Sequence, residues 1–306
     1  MDLFQYISLT RFKIIPYILR KNDNKGSSII LDMEDSAKDL FSLSNTNKLK
    51  NFCRLGLISL GKTSIVHSNI KIFIRINHFR SSDFKKDIVA VKAFSKKNKI
   101  SGIFLPKVCN FDVINSTFKL LNSKIKIVPI IETVSGIKNL RKIIEKITKK
   151  NMIYGIHYGH WDYCLDKKVW PFPEPIHQEY WSNIKNIIDI IKDYNMKFIN
   201  TPFPYINNDK IFWSSYEILK KLYKTNKIFM CVVSQNKNFF KKPKKINLLR
   251  LKKISNDKKY LTSFSKKIIN EYLDSRSNKK SFSLSSKRFI PPHQFIAAKK
   301  YYEEKK

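Results

Sequence analysis

Eight short apolar runs, each separated from the next by enough chain for a helix, constrain this sequence more than any other feature. Seven are plain: 29–33 (IILDM), 71–76 (KIFIRI), 102–105 (GIFL), 126–131 (KIVPII), 152–158 (MIYGIHY), 196–199 (MKFI) and 228–233 (IFMCVV). The eighth, 4–9 (FQYISL), is weaker. Between them the period changes. In 137–147 the apolar residues are Ile137, Leu140, Ile143, Ile144 and Ile147; in 181–191 they are Trp181, Ile184, Ile187, Ile188 and Ile191. Both sets keep the i, i+3, i+4, i+7 spacing of a one-sided helix. Strands that are almost continuously apolar are buried on both faces, as in a parallel sheet covered by helices. Eight such units close a (β/α)8 TIM barrel, which needs about 250 residues, and the chain has 306. The alternation stops at 236–253, "NKNFFKKPKKINLLRLKK". Beyond it come a predicted helix near 259–273, a Ser/Lys linker and a last helix from about 291. The predicted organisation is an α/β barrel domain over 1–235, followed over 236–306 by a basic loop and a C-terminal helical extension.

Charge invites a different reading. The chain carries 60 Lys+Arg against 24 Asp+Glu, a formal +36. A nucleic-acid face, however, concentrates its charge in a patch interleaved with aromatic or Gly-rich recognition motifs. Here Lys, Ile and Asn dominate everywhere, including on evident helices, so the excess reads as a compositionally biased, solvated surface. A basic nucleic-acid-binding barrel stays as the reading from another functional class. The run "KKPKKINLLRLKK" at 241–253 is either part of that drift or an anion funnel for a phosphate-bearing substrate, docked through Leu248, Leu249 and Leu251. Cys53, Cys109, Cys164 and Cys231 are scattered with no CxxC pair, which argues against a disulfide framework or zinc site and for a reduced, cytoplasmic setting. The N-terminus lacks a signal peptide's basic start and cleavage site, and no run of 18 apolar residues exists, so no membrane partner is expected.

The scarce acids fall at telling places. In a parallel barrel, functional groups sit where strands end and loops begin, at the C-terminal mouth. Run 29–33 leads into Glu34 and Asp35; run 71–76 carries Arg75 and is followed by Asn77; run 102–105 ends in Pro106 and Lys107; run 126–131 ends in Glu132; run 152–158 continues to His160 and Asp162. Closing the barrel would bring these five strand ends to one mouth. Each also has a simpler role: Glu34 or Asp35 as a helix cap, Arg75 as their counter-ion, Glu132 as a turn acid before Thr133, Asp162 as a loop residue, Lys107 as a surface lysine, His157 and His160 as satisfied hydrogen-bonding residues.

The segments "IILDMEDS", "IFIRIN", "GIFLPKV", "VPIIETVSGIKN" and "GIHYGHWDYCLD", in that order and with suitable gaps, resemble the citrate lyase β-subunit and malyl-CoA lyase branch of the HpcH/HpaI aldolase superfamily. The resemblance covers roughly residues 25–235, and "FINTPFPYINNDKIFWSSYEILKKL" is similar to the family's later segment. It implies a Mg²⁺-dependent carbon–carbon lyase or aldolase, with Mn²⁺ as the alternative ion. The enzyme would cleave or form a β-hydroxy acid, free or as a CoA thioester, through a metal-stabilised enolate. It implies Glu132 and Asp162 as metal ligands, Arg75 on the substrate carboxylate with Asn77 and Lys107 beside it, Glu34 and Asp35 near the bond being broken, and a homo-oligomer, trimer or hexamer. Elementary chemistry agrees: Mg²⁺ takes oxygen ligands, usually one or two carboxylates with water and substrate, and an Arg fork matches a carboxylate bidentately. The chain departs from the family at "GHWDYCLD", where Gly-x-x-Asp-Leu is usual, in "CVVSQNKNF", which lacks the Ile-His-Pro run of acyl-CoA enzymes, and in the aromatic, Pro-rich "DKKVWPFPEPIHQEY" of 166–180. A Schiff-base aldolase using Lys107 is the second enzymatic reading; it requires a lysine with a depressed pKa.

Overall fold

The computed structural model describes residues 3–22, 27–65, 70–148, 151–233, 236–277 and 282–305. Part of the expected Ser/Lys linker (278–281), and Ser234 and Gln235 of the segment without the His-Pro run, lie outside the described residues. The strands are β1 (Leu3–Ser8), β2 (Ser27–Asp32), β3 (Lys71–Arg75), β4 (Gly102–Leu105), β5 (Ile127–Ile131), β6 (Ile156–Tyr158), β7 (Phe198–Phe203) and β8 (Ile228–Val232). They pair in chain order, and β1 closes on β8, giving one closed parallel barrel. The weak eighth run is therefore a full strand. Two runs differ in extent. In 152–158 only the last three residues join the ladder, and Ile153 meets β5 through an isolated bridge to Ile127. Conversely, β7 continues to Phe203 across a register shift between Ile199 and Pro202; a proline has no N–H to continue a ladder and is accommodated at such a break.

Ten helices are described: α1 (Ile15–Asn22), α2 (Leu43–Leu60), α3 (Phe84–Ser95), α4 (Phe111–Leu120), α5 (Val134–Thr148), α6 (His160–Asp166), α7 (Gln178–Ile191), α8 (Asp209–Leu222), α9 (Lys258–Ser277) and α10 (Pro292–Glu303). No described helix is long and apolar enough to cross a membrane. Side-chain caps start several of them: Ser42 accepts from the Asn45 N–H, Asn110 from Val113 and Asn208 from Ile211, satisfying donors the first helical turn leaves free. The apolar stripes of α5 and α7 face the sheet, with Leu140, Ile144, Ile147, Ile184, Ile187, Ile188 and Ile191 wholly buried.

Strand alternation positions the site. Phe4, Ile30, Phe73, Phe104, Val128, Ile130, Ile199 and Phe229 fill the barrel as one cluster, with Phe4 and Phe73 rings 5.1 Å apart and Phe73 and Phe104 rings 5.7 Å apart. Side chains in a strand repeat every second residue. Two positions further along the same inward rows stand Tyr6 after Phe4, Asp32 after Ile30, Arg75 after Phe73 and Glu132 after Ile130. The aromatic layer closes the barrel from below, so the polar layer is reached from the C-terminal mouth.

The C-terminal segment leaves β8 along the outer wall. The Lys242 ammonium lies 3.0 Å from Glu217 on α8, the Leu249 N–H donates to Ser214, and Lys252 forms a one-residue bridge with His177. Helices α9 and α10 pack around Ile268, Tyr272, Ile290, Phe295 and Ala298, and α10 lies against α6. A buried ion pair, Arg288 to Glu174 at 2.5 Å, and the backbone bond from Phe289 N–H to the Pro204 carbonyl fasten this arm over the barrel.

Candidate active site

Asp32, the last residue of β2, organises the first half of the mouth. Its carboxylate accepts the backbone N–H groups of Glu34 and Ser36 at 3.0 and 3.1 Å, which shapes the turn, and receives Arg75 in a fork, Nε at 2.7 Å and Nη2 at 2.8 Å. Arg75 Nη1 reaches Asp35 at 3.0 Å and Glu34 at 3.1 Å, and the guanidinium lies 4.8 Å above the Tyr6 ring. Arg75 thus spends three hydrogen bonds on carboxylates, two on Asp32 and one on Asp35, with Glu34 as an added ion partner; Nη2, which carries two hydrogens, makes one of these bonds. Glu34 and Asp35 titrate apart. Burial and then the Asp35 charge push the Glu34 carboxyl well above its ordinary range. For Asp35, burial works the same way but Arg75 and His293 outweigh it, and it stays ionised below its usual range.

Lys107 organises the other half. Its backbone sits in the left-handed region, φ 53°, uncommon for a side chain with Cβ. That conformation directs its N–H to Glu132 Oε1 at 2.8 Å, while its ammonium pairs with Asp162 Oδ1 at 3.2 Å. One residue therefore joins both expected ligands. Glu132 is 5% exposed; burial first, and next Asp162, raise its pKa well above normal. Its carboxyl packs on Gly159, where a Cβ would stand 2.4 Å from Oε2. Asp162 lies in the first turn of α6 and accepts from His293 Nε2 at 3.1 Å. Burial opposes its ionisation, but the His293 bond and Lys107 hold its pKa below normal. Asp35, Asp162 and His293 each offer one ligand atom within 4.8 Å of the others.

The structure thus brings Glu34, Asp35, Arg75, Lys107, Glu132 and Asp162 to one mouth. Asn77 is directed elsewhere: its amide nitrogen donates to Asp87 at 2.7 Å and to the Met33 carbonyl at 3.3 Å, beneath the site. The Arg75 fork holds Asp32, a partner the sequence did not assign to it. For Lys107, burial alone would lower the pKa, but Asp162 and Glu132 raise it, the opposite of what a Schiff-base lysine needs. His157 bonds the Ile199 carbonyl, and His160 the Pro173 carbonyl and Tyr158 hydroxyl, so both are satisfied inside the fold. The basic run is on the wall of α8. Sequence reasoning missed His293, which lies 131 residues after Asp162 and becomes its neighbour only through α9 and α10. The one local signal is its place behind Pro291 and Pro292 at a helix start.

No family model and no curated protein sequence matches the chain. Solved structures do. A malate synthase from Haloferax volcanii, as a pyruvate/acetyl-CoA ternary complex, aligns with TM-score 0.65 at 12% identity, over 97% of this chain and 88% of that one. A citrate lyase β subunit from M. tuberculosis, complexed with oxaloacetate and magnesium, aligns with TM-score 0.55 at 12% identity, over 75% and 90%. RipC from Yersinia pestis aligns with TM-score 0.55 at 14% identity, over 80% and 96%. At such identities the likeness is one of fold.

Proposed function

We propose that this chain is a divalent-metal-dependent carbon–carbon lyase or aldolase of the HpcH/HpaI superfamily, acting on a β-hydroxy acid or its CoA thioester. One observation carries the reading. Asp32, Glu34, Asp35, Glu132 and Asp162 share a mouth whose permanent cations, among the described residues paired with them, are Arg75 and Lys107, with the imidazole of His293 on Asp162: three more carboxylates than permanent cations in a chain that is otherwise overwhelmingly basic. Clustered, largely buried carboxylates are costly to ionise: burial first, and then a neighbouring carboxylate, raises the pKa of Glu34 and of Glu132. A dication meets that deficit. The carboxylate donors suit a hard dication, Mg²⁺ or Mn²⁺, and Gly159 leaves the room that Glu132 Oε2 needs. The five motifs and the fold shared with a magnesium-bound citrate lyase β subunit support the same reading.

Glu132 and Asp162 would hold the ion. When bound, it would supply a Lewis acid at the substrate's oxo or acyl oxygen and offset the charge that develops there as the carbon–carbon bond breaks. The chain's own groups do the rest. Asp32 fixes Arg75 so that its remaining Nη2 hydrogen can hold a substrate carboxylate. Glu34 and Asp35 are pushed apart in pKa, Glu34 upward by burial and the Asp35 charge and Asp35 downward by Arg75 and His293 against burial, so Glu34 is the readier of the two to hold a proton in a proton-transfer pair. Lys107 braces Glu132 and Asp162 together. The aromatic layer and the arm exclude water from below and from one side.

The test uses Glu132→Gln and Asp162→Asn. Each removes one anionic oxygen, so each should abolish Mg²⁺ binding by calorimetry and turnover of small β-hydroxy acids and their CoA thioesters, with the circular dichroism spectrum unchanged. Unchanged Mg²⁺ affinity in both variants would reject the metal assignment. A borohydride-trapped adduct on Lys107 would instead install the Schiff-base reading.

A further inference from the structure

His293 is the one nitrogen donor at the mouth that the C-terminal arm delivers, and its surroundings are unusual for a histidine of purely structural use. The side chain is 7% exposed. Its Nε2 faces Asp162 Oδ2 at 3.1 Å, while Nδ1 is buried with no hydrogen-bond partner among the described residues. Two carboxylates face the ring: Asp162 directly, and Asp35, one of whose oxygens lies within 4.8 Å of a ring nitrogen. Nothing on the arm holds the ring in place through Nδ1.

We infer that His293 is a ligand of the site's dication, donating Nε2 beside Asp162 and Asp35, so that the metal centre is assembled from the barrel and the C-terminal arm together. This rests on the proposed cation site and deepens it by naming the ion. One separation is that of adjacent ligands: two cis ligands at about 2.1 Å from one ion stand about 3 Å apart, and His293 Nε2 and Asp162 Oδ2 are 3.1 Å apart. Asp35 completes the cluster, with one carboxylate oxygen within 4.8 Å of both. Glu132 does not belong to this three-residue cluster: one of its oxygens takes the Lys107 N–H and the other packs on Gly159. A set that mixes imidazole with carboxylates suits a first-row transition ion better than Mg²⁺, which keeps to oxygen and dehydrates reluctantly. The site therefore selects Mn²⁺ over Mg²⁺. The arm's other fastenings, Arg288 on Glu174 and Arg276 on Asp39 at 3.0 Å, hold His293 at the mouth before any ion arrives.

The experiment is pulsed electron paramagnetic resonance of Mn²⁺ added to the full-length, metal-stripped protein. The expected spectrum shows coupling to one directly bound ¹⁴N, which converts to a ¹⁵N pattern when histidine is isotopically labelled; this readout needs no variant. His293→Gln should lose the coupling and bind Mn²⁺ about 10-fold more weakly or worse, with Mg²⁺ affinity changed much less. His78→Gln, which alters a histidine electrostatically near Lys107, should keep the coupling. If Mn²⁺ binds and Asp162→Asn removes it but no nitrogen coupling appears in wild type, the inference falls and the lyase reading survives. If no Asp162-dependent Mn²⁺ or Mg²⁺ binding occurs at all, both fall.

Discussion

At the scale of single residues, what decides the site is close approach. Gly159 shows it best. Its φ of −96° is open to any residue, so the glycine is there for space: a methyl group would meet Glu132 Oε2 at 2.4 Å and Glu132 Cβ at 2.5 Å. Gly159→Ala should displace the Glu132 carboxyl. Overpacking of this kind costs about 1–3 kcal/mol, and Mg²⁺ or Mn²⁺ affinity should fall with it. A denaturation midpoint and a calorimetric affinity both equal to wild type would mean that Glu132 moves freely and is not a fixed ligand. The residues legible in the sequence were those at strand ends, because a barrel obliges strand ends to converge: Glu34, Asp35, Arg75, Lys107, Glu132 and Asp162. Those that were not legible act through shape or from a distance. The glycine gives no chemical signal, Tyr6 reads as an ordinary aromatic until its ring is found 4.8 Å under Arg75, and Asn77 follows its strand as a substrate ligand would but turns to Asp87.

At the scale of elements, the alternation of apolar runs gave the eight strands, and the two full helical stripes gave α5 and α7. Boundaries failed where a local chemical fact overrode period. β6 is shortened to three residues, and β7 is prolonged across the break at Pro202. Helices α9 and α10 were visible as helices, but their docking was not, since neither the Tyr272–Phe295 stack at 4.4 Å nor the Arg288–Glu174 pair has a local signature. If His293 ligates the ion, arm and metal are linked by mass action: an ion that binds only the docked arm stabilises docking. Amide exchange over residues 258–303 should therefore slow when Mn²⁺ is added to wild type and should not respond in His293→Gln. Equal protection with and without Mn²⁺ in wild type would mean the arm's docking is independent of the centre.

At the scale of the whole molecule, two charge distributions oppose each other: a lysine-rich exterior and a carboxylate-rich mouth. The run 241–245 belongs to the first. Lys242 pairs with Glu217, eight residues along α8 from its start near the mouth and hence about 12 Å from it, which exceeds the screening length of about 8 Å at physiological ionic strength. Beneath the mouth the protein must also keep buried histidine neutral, and this sets its response to acid. His157 is 2% exposed, bonded to the Ile199 carbonyl at 3.1 Å, and its pKa is lowered to about 3 by burial and by the Arg75 charge. In the unfolded chain the same ring titrates near 6.5. Between these values the unfolded state binds more protons than the native one, so stability rises with pH, and it is lost as pH falls from about 6.5 toward 3. By pH 5 this one group removes about 2 kcal/mol. The raised Glu34 and Glu132 act in the opposite sense, because the native state then holds protons that the unfolded chain releases, and so the wild-type profile alone is a composite. The difference between wild type and His157→Gln isolates the histidine. In urea denaturation that difference at pH 7 should shrink by about 2 kcal/mol at pH 5, since only the wild type must protonate His157 on unfolding. A pH-independent difference would show that His157 is already charged, or already solvated, in the native barrel.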